Sequence, residues 1–418
     1  MYKSIQDKNI VLCVCGGIAA YKAVELLRLL VRHGAAVRVV MTESAVEFVG
    51  RLTFEAISGR SVCTTLFGRA ADPSIKHIVW AEEADAVIVA PATANIIGKL
   101  ANGIADDAIS TFMLAVTSFK IICPAMNTHM YENRAVQRNL DILESDGFCI
   151  LEPESGDLAC GTTGPGRLPD PESIVDRLNS LLTSKDFSGR KVLVTAGPTR
   201  EPVDPVRFIS NPSSGRMGFA VAKAAEQRGA EVVLITGPVS LPDPPRIITI
   251  RVNTAMEMAD VVFEYMDKSD IIIKTAAVSD YRPVEPADHK IKKGKETITL
   301  SMQKTQDILK ELGKNKKNRI LVGFAAETEN LEQYAQQKLR EKNLDLIVGN
   351  IVGSSSSSGF QSETNKVTLF FKDGAKKSLP LMEKEDVANA ILQSILDRTI
   401  KTVRLNQSDD PAGSEINV

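Results

Sequence analysis

A short apolar run ending in a double glycine, NIVLCVCGG (9–17), leads at once into a stretch of helical period, IAAYKAVELLRLLVRHG. A second apolar run, AAVRVVMT, follows. Strand, glycine turn, amphipathic helix with Gly34 past its end, and strand make a β–loop–α–β unit. The runs ADAVIVAP (84–91) and FKIICP (119–124) are apolar without alternation, as parallel strands buried on both faces should be. Helices are expected near 95–101, 107–117, 128–146 and 171–183. Around residue 184 the pattern restarts, the new βα run opening at Gly189. GRKVLVTAGPT reads as strand and glycine turn, SSGRMGFAVAKAAEQRG as a helix ending at Gly229, and AEVVLITGP as the next strand. RHGAAVRVVMT (32–42) parallels QRGAEVVLITG (227–237) at a distance far beyond any solenoid repeat.

The expected fold is therefore α/β, with two tandem Rossmann-like domains of mostly parallel sheet, the first flavodoxin-like. The domains are expected at 1–188 and 189–402, joined through a polar hinge, SKDFSGR (184–190). In the second domain, strands are expected near 191–195, 231–236, 246–250, 270–276, 320–325, 345–349 and 366–371, and helices near 215–228, 254–266, 331–343 and 384–399. Five serines at 354–358 read as a flexible loop and 403–418 as a disordered tail.

Composition excludes several classes. A formal charge of −2 supplies no drive toward nucleic acid. The first 188 residues carry 17 Lys and Arg against 22 Asp and Glu, and the remainder 33 against 30, which weakly favours the second half for a polyanionic ligand. No run of 18 apolar residues encodes a membrane span, and the start lacks a signal-peptide core. Six cysteines without C-x-x-C or zinc spacing read as free thiols, pointing to the cytoplasm.

Neither domain carries the G-x-G-x-x-G of a dinucleotide fold, which opposes a nicotinamide reductase, and there is no Walker A lysine motif. A strand running into Gly16-Gly17 and a helix start still suits a phosphate; equally, these glycines could simply make a tight turn. Other polar motifs stand at strand ends: Pro91-Ala92-Thr93-Ala94-Asn95, Met126-Asn127 within PAMNTHM, and the loop ACG-x-x-GPGR (159–167). His77 stands upstream. Taken singly, His77 and Cys160 could be structural, and Asn127 could be a helix N-cap, a binding residue, or both.

GGIAAYK, His77, PATANIIGKLANGIADD, PAMNTHM and ACG-x-x-GPGR, in this order, resemble the flavin-dependent cysteine decarboxylase family. DPVRFISNPSSGRMG (204–218), KTAAVSDYRP (274–283), KIKK (290–293), GFAAET (323–328) and KLREKNLDLIVGN (338–350) resemble phosphopantothenate–cysteine ligases. Together they resemble the bacterial bifunctional coenzyme A biosynthesis family over all but the tail. Two departures stand out: Tyr131 where the family commonly has Trp, and Arg216 where it commonly has Lys.

The resemblance implies FMN on Gly16, Gly17, Thr42, Ser44, Pro91, Ala92, Thr93 and Asn95. It implies His77 as base or charge stabiliser, the Asn127 amide on the substrate carboxylate, Met126 as a further substrate-binding residue, and Cys160 as the acid for an enethiolate. In the second half it implies activation of 4′-phosphopantothenate by CTP with Mg²⁺, then displacement by cysteine. Lys290 would stabilise phosphoryl charge, and Asn211 would contact the acyl-cytidylate with Arg207 nearby. Lys274, Thr275, Ala276, Ala277, Asp280, Gln306, Asp307, Ile308, Leu309, Phe324, Lys338 and Lys342 would line the CTP site. The substrate phosphate would sit at the 213–218 helix start. Asp280 is the one Mg²⁺ ligand candidate. Lys338 and Lys342, one helical turn apart, repel unless an anion relieves them, although Glu332 and Glu341 could instead make this a solvated face. The same resemblance implies trimers through the first domain and dimers through the second. The alternative, a single-activity or regulatory homologue with one inactive domain, is opposed by the joint presence of His77, Asn127, Cys160, Asn211 and Lys290.

Overall fold

The computed structural model describes residues 4–65, 76–159, 161–292, 297–327, 329–351 and 362–408, with side chains left out at 76–77 and 399–408. The chain divides into two compact units, Met1–Ser184 and Lys185–Val418.

In the first unit, β1 (Asn9–Val14), β2 (Ala36–Met41), β3 (Ala86–Ala92), β4 (Phe119–Pro124) and β5 (Cys149–Ile150) form one parallel sheet in the order β2-β1-β3-β4-β5. This is the flavodoxin-like order, in which winding reverses between β1 and β3. Side chains alternate between faces along a strand. Leu12, Val14, Ile88 and Ile121 pack beneath the helices Ala20–Arg32 and Pro171–Leu182, whereas Val11, Cys13, Val89 and Ile122 pack beneath Ala94–Ala101 and Arg134–Ser145. Both faces are thus covered, and the unalternating apolar runs follow from it. Burial pushes the Cys15 thiol up to about 12 and raises Cys13 well above its ordinary value, so neither is a nucleophile.

Two features differ from expectation. The helix expected over 128–146 is two, Thr128–Tyr131 and Arg134–Ser145, because Asn133 caps the second with its Oδ1 on Ala135 N at 2.9 Å. The loop after β5 holds an antiparallel hairpin, β6 (Glu154–Asp157) with β7 (Thr163–Arg167), whose glycines and prolines hid it from periodicity.

In the second unit the strands are β8 (Lys191–Ala196), β9 (Arg200–Pro202), β10 (Phe208–Ser210), β11 (Glu231–Thr236), β12 (Ile248–Arg251), β13 (Ile271–Lys274), β14 (Tyr281–Pro283), β15 (Met302–Lys304), β16 (Ile320–Glu327), β17 (Leu346–Ile351), β18 (Thr364–Asn365), β19 (Thr368–Phe371), β20 (Lys376–Ser378) and β21 (Met382–Glu383). The main sheet runs β12-β11-β8-β13-β16-β17-β19-β20, parallel up to β17 and antiparallel beyond it. Its first six strands have the doubly wound order that reverses between β8 and β13. The last helix, Lys384–Ser408, runs past residue 403 into the segment expected to be disordered; 409–418 and the serines 354–358 lie outside the described residues.

The polar hinge also needs correction. Phe187 is fully buried in the second unit's core. Arg228 lies over its ring at 4.8 Å, donates to Asp186 through Nε (2.8 Å) and Nη2 (2.6 Å), and reaches Gln393 Oε1 at 3.0 Å. The sequence from Asp186 onward therefore belongs to the second unit. Arg228→Ala would strand Asp186 and uncover Phe187, and should cost that unit about 2–3 kcal/mol. Urea unfolding followed by domain-resolved hydrogen exchange should show the loss there and leave the first unit's transition in place.

Candidate functional sites

In the first unit, the carboxyl ends of β1, β3 and β4 frame a cleft of about 470 Å³. Gly16, Gly17, Pro91, Thr93, Met126 and Asn127 line it, so six of the sequence-derived residues converge. A Cβ on Gly16 would stand 2.5 Å from Ser44 Cβ and 2.7 Å from its carbonyl carbon. Glycine is thus required for the β1 turn to lie against the Ser44 segment. The helix Ala20–Arg32 starts at this turn with Ala19 as its N-cap and no side-chain cap bond, so an anion there meets backbone N–H groups. Thr93 caps the next helix by accepting from Ile96 N at 3.4 Å, and Cys15 N donates to Pro91 O at 3.3 Å, joining the two loops.

Asn127 does cap a helix: its Oδ1 accepts from His129 N at 2.9 Å. It also lines the cleft, so capping orients its amide within the site. Thr42, Ser44, Ala92 and Asn95 are not in the lining. Thr42 caps Glu43–Val46, Ala92 is buried at the end of β3, and Asn95 is exposed on its helix. Tyr131, the departure from Trp, is half-buried against the core, its hydroxyl pKa raised by burial. Cys160 and the His77 side chain lie outside the described residues, although Ala159 lines the cleft.

Sequence reasoning missed the β6–β7 hairpin as a wall. Met126 N donates to Gly166 O at 3.0 Å, and a Cβ on Gly166 would overlap that same Met126 carbonyl oxygen. The signal was present in GPGR, where two glycines flank a proline.

The second unit has two neighbouring groups at the ends of β8, β13, β16 and β17. The first is a cleft of about 180 Å³ where Thr275, Ala276, Ala277 and Phe324 meet Gly197 and the start of the helix Arg216–Gln227. That is room for a base or part of a phosphate chain rather than a whole nucleotide. Asn350, Asn365 and Lys384 complete its wall and were not foreseen, because long-range strand order alone brings them there. Arg216, the other departure, pairs with Glu363 at 2.5 Å.

The second group is charged. Lys342 Nζ meets Asp307 Oδ2 at 2.8 Å and Lys338 Nζ meets Glu327 Oε1 at 2.7 Å. Half-buried Lys274 feels both lysines, together with Asp307 and Asp280. Burial first, then Lys342 and Lys338, push it down to about 8 against the pull of the two carboxylates. Burial acts to raise Asp307, but the Lys342 contact and Lys310 N–H bring it below the usual carboxylate range. Ile308 and Leu309 turn their side chains into the core, so only their backbone could face a ligand; Gln306 is exposed.

Asn211 Nδ2 donates to the carbonyls of Ala277 (3.2 Å) and Val278 (3.1 Å), fixing its loop to the β13 end. Lys290 is exposed and outside the small cleft. Its neighbour Ile291 is held by Asp204, whose carboxylate also takes the N–H groups of Val206 and Arg207, while Arg207 Nη1 reaches Ile291 O at 3.3 Å. Asp204, missed in the sequence, thus positions both Arg207 and the Lys290 segment.

Residues 1–183 match the Flavoprotein family model, and residues 187–399 match the DNA/pantothenate metabolism flavoprotein C-terminal domain. The coenzyme A biosynthesis bifunctional protein CoaBC of Bacillus subtilis (strain 168) is 53% identical over 395 residues, covering 94% of this chain and 97% of that protein. The chain belongs to the family of coenzyme A biosynthesis bifunctional proteins. The members from Escherichia coli (strain K12) and Vibrio cholerae serotype O1 are 47% and 46% identical, each over 94% of this chain and over 98% and 99% of their own lengths. As a member of this family the chain is a bifunctional enzyme of coenzyme A biosynthesis, a decarboxylase and a ligase in one polypeptide. No helix among the described residues is long and apolar enough to cross a membrane.

Two measurements test the sites. Gly16→Ala should lower flavin content at least about tenfold, since a Cβ that must shift the turn costs on the order of 1–3 kcal/mol, while circular dichroism stays native. A lysine titrating near 8 is partly neutral at that pH, and a bound polyanion would raise its pKa and draw a proton in. Binding of inorganic pyrophosphate at pH 8 should therefore show net proton uptake in calorimetry across buffers of different ionisation heat, and Lys274→Met should abolish it.

Proposed function

We propose that the second unit joins 4′-phosphopantothenate to cysteine through an acyl-cytidylate formed from CTP, and that the first unit decarboxylates the product to 4′-phosphopantetheine with FMN. What carries this reading is the contrast between the two sites. One is a large, glycine-turned, mostly apolar cleft; the other is a small cleft beside three lysines.

A carboxylate is a poor electrophile and must be activated before an amine can displace anything from it. Lys290, Lys338 and Lys342 offer the charge that a triphosphate and a departing pyrophosphate require. Lys274, with its pKa near 8, can hold or release a proton as that charge arrives and leaves. In this reading Asn211, its amide anchored on the carbonyls of Ala277 and Val278, contacts the acyl-cytidylate, and Ala276, Ala277 and Phe324 line the nucleotide and substrate pocket. Among the described residues no three His, Cys, Asp or Glu side chains converge as a metal cage. In this reading Mg²⁺ accompanies the phosphates, with Asp280 as the candidate protein carboxylate.

In the first unit the residues fit FMN. Gly16 gives a turn no side chain could occupy, the uncapped helix start suits its phosphate, and Pro91, Met126 and Leu158 offer apolar walls for its ring. Bound there, FMN would supply the two-electron oxidation of the substrate thiol and the return of the hydride. The Asn127 amide, oriented by its cap, binds the substrate carboxylate, His77 serves as base or charge stabiliser, and Cys160 protonates the enethiolate left after carbon dioxide departs. We place the enzyme in the cytoplasm, as homo-oligomers built from trimers of the first unit and dimers of the second.

The test supplies 4′-phosphopantothenate, cysteine, Mg²⁺ and either CTP or ATP to the full chain and follows product mass. The expected product is 4′-phosphopantetheine with CTP. Lys290→Gln should suppress pyrophosphate release from CTP and 4′-phosphopantothenate by about a hundredfold, a typical cost for one lost electrostatic contact, with decarboxylation unchanged. No product with either nucleotide would refute the reading, and wild-type pyrophosphate release in the variant would remove Lys290 from activation.

A further inference from the structure

The GPGR segment contains a cation that the proposed mechanism leaves unused. Arg167 lies at the end of β7 and lines the first cleft. Among the described residues its guanidinium has no hydrogen-bond or ion-pair partner. It lies along the face of the hairpin at Gly156. Nη1 lies 2.7 Å from where a Cβ on Gly156 would stand, so any side chain at 156 would push the guanidinium off the face of the hairpin. The hairpin is fixed on one side by Met126 N on Gly166 O, and on the other by Lys22, whose Nζ donates to Leu168 O at 3.1 Å. Lys22 also lines the cleft, and an ammonium has three donors, of which this bond uses one. The acidic member of the lining, Asp157, accepts from Thr163 Oγ1 at 2.8 Å.

We propose that Arg167, with Lys22, forms a phosphomonoester-binding subsite at the hairpin side of this cleft. Arginine's planar fork of five donors matches a terminal phosphate, and a dianion satisfies two cations in a way no neutral group does. The proposal rests on the functional reading above, in which two ligands of the cleft carry such a group: FMN and the phosphorylated substrate. The chemistry is the same for both, and pairs of ligands with and without the phosphate separate the sources.

The experiment compares wild type, Arg167→Gln and Arg167→Lys as full chains. Affinities for FMN and riboflavin are measured by flavin fluorescence on protein stripped of flavin. Affinities for 4′-phosphopantetheine and pantetheine are measured by calorimetry on the FMN-loaded protein. Wild type should prefer the phosphorylated member of at least one pair, and Arg167→Gln should cut that preference by about tenfold or more, as expected for a lost charge-assisted contact. Affinity for the unphosphorylated member should hold, and Arg167→Lys should recover part of the preference. The pair that changes names the phosphate. Preferences that stay within about twofold of wild type in both pairs would overturn the subsite, as would an equal loss for all four ligands, which marks a deformed hairpin. A wild type that binds neither phosphorylated ligand would sink the functional reading and the subsite together. A wild type that binds both, with Arg167→Gln unchanged, would sink the subsite alone.

Discussion

A parallel sheet covered on both faces leaves no room for polar chemistry along its strands. Val11, Cys13, Leu12 and Val14 face core on one side or the other, and so do Leu193, Val194, Ile272 and Ile273 in the second unit. Polar residues such as Thr93, Asn127 and Lys274 are displaced to where the strands end, and parallel strands all end on the same edge. Both sites follow from that exclusion. Where winding reverses, between β1 and β3 and again between β8 and β13, neighbouring loops part and a cleft opens. The glycines at 16 and 197 stand where those loops must approach other backbone closely.

Much of this was legible in the residues. Unalternating apolar runs closed by glycine, with helices between, announce parallel strands, and the restart near 189 announces the second unit. Gly34 and Gly229 do adopt positive φ past their helices, as a helix stop requires. What periodicity could not reveal were elements made by specific hydrogen bonds rather than by burial. The β6–β7 hairpin is short and polar, and its strands are paired through glycine and proline. The break at Asn133 rests on one side-chain cap. The linker was misread because a single phenylalanine among polar residues carries no periodic signal, yet that residue is wholly buried.

The sites divide in the same way. Asn127, Met126, Pro91 and Thr93 stand at strand ends in sequence and in space. Lys274, Lys338 and Lys342 act on one another from a strand and a helix, an arrangement suggested by spacing only for the latter two. Asp204 and Arg167 carried no separable signal. The first works through buried bonds to its own loop and to residue 291, and the second through a glycine eleven residues earlier whose significance appears only once the hairpin is folded. The charged end of the second unit has its own logic: Lys338 and Lys342 are paired with Glu327 and Asp307, and burial first, then these two lysines, lowers the Lys274 pKa to about 8. An arriving polyanion would raise that pKa again.

The Asp186–Phe187–Arg228 assembly has a consequence for how the two halves could ever be separated. The boundary that looks natural in the sequence, the glycine at 189, would leave Phe187 on the wrong fragment and open a hole in the second unit's core beneath a guanidinium that has lost its carboxylate. A cut before Lys185 keeps Asp186 and Phe187 with the second unit. Any ancestral or engineered second half living on its own must carry those few residues as its own N-terminal plug. The seam in the polypeptide thus lies a few residues upstream of the seam in the pattern.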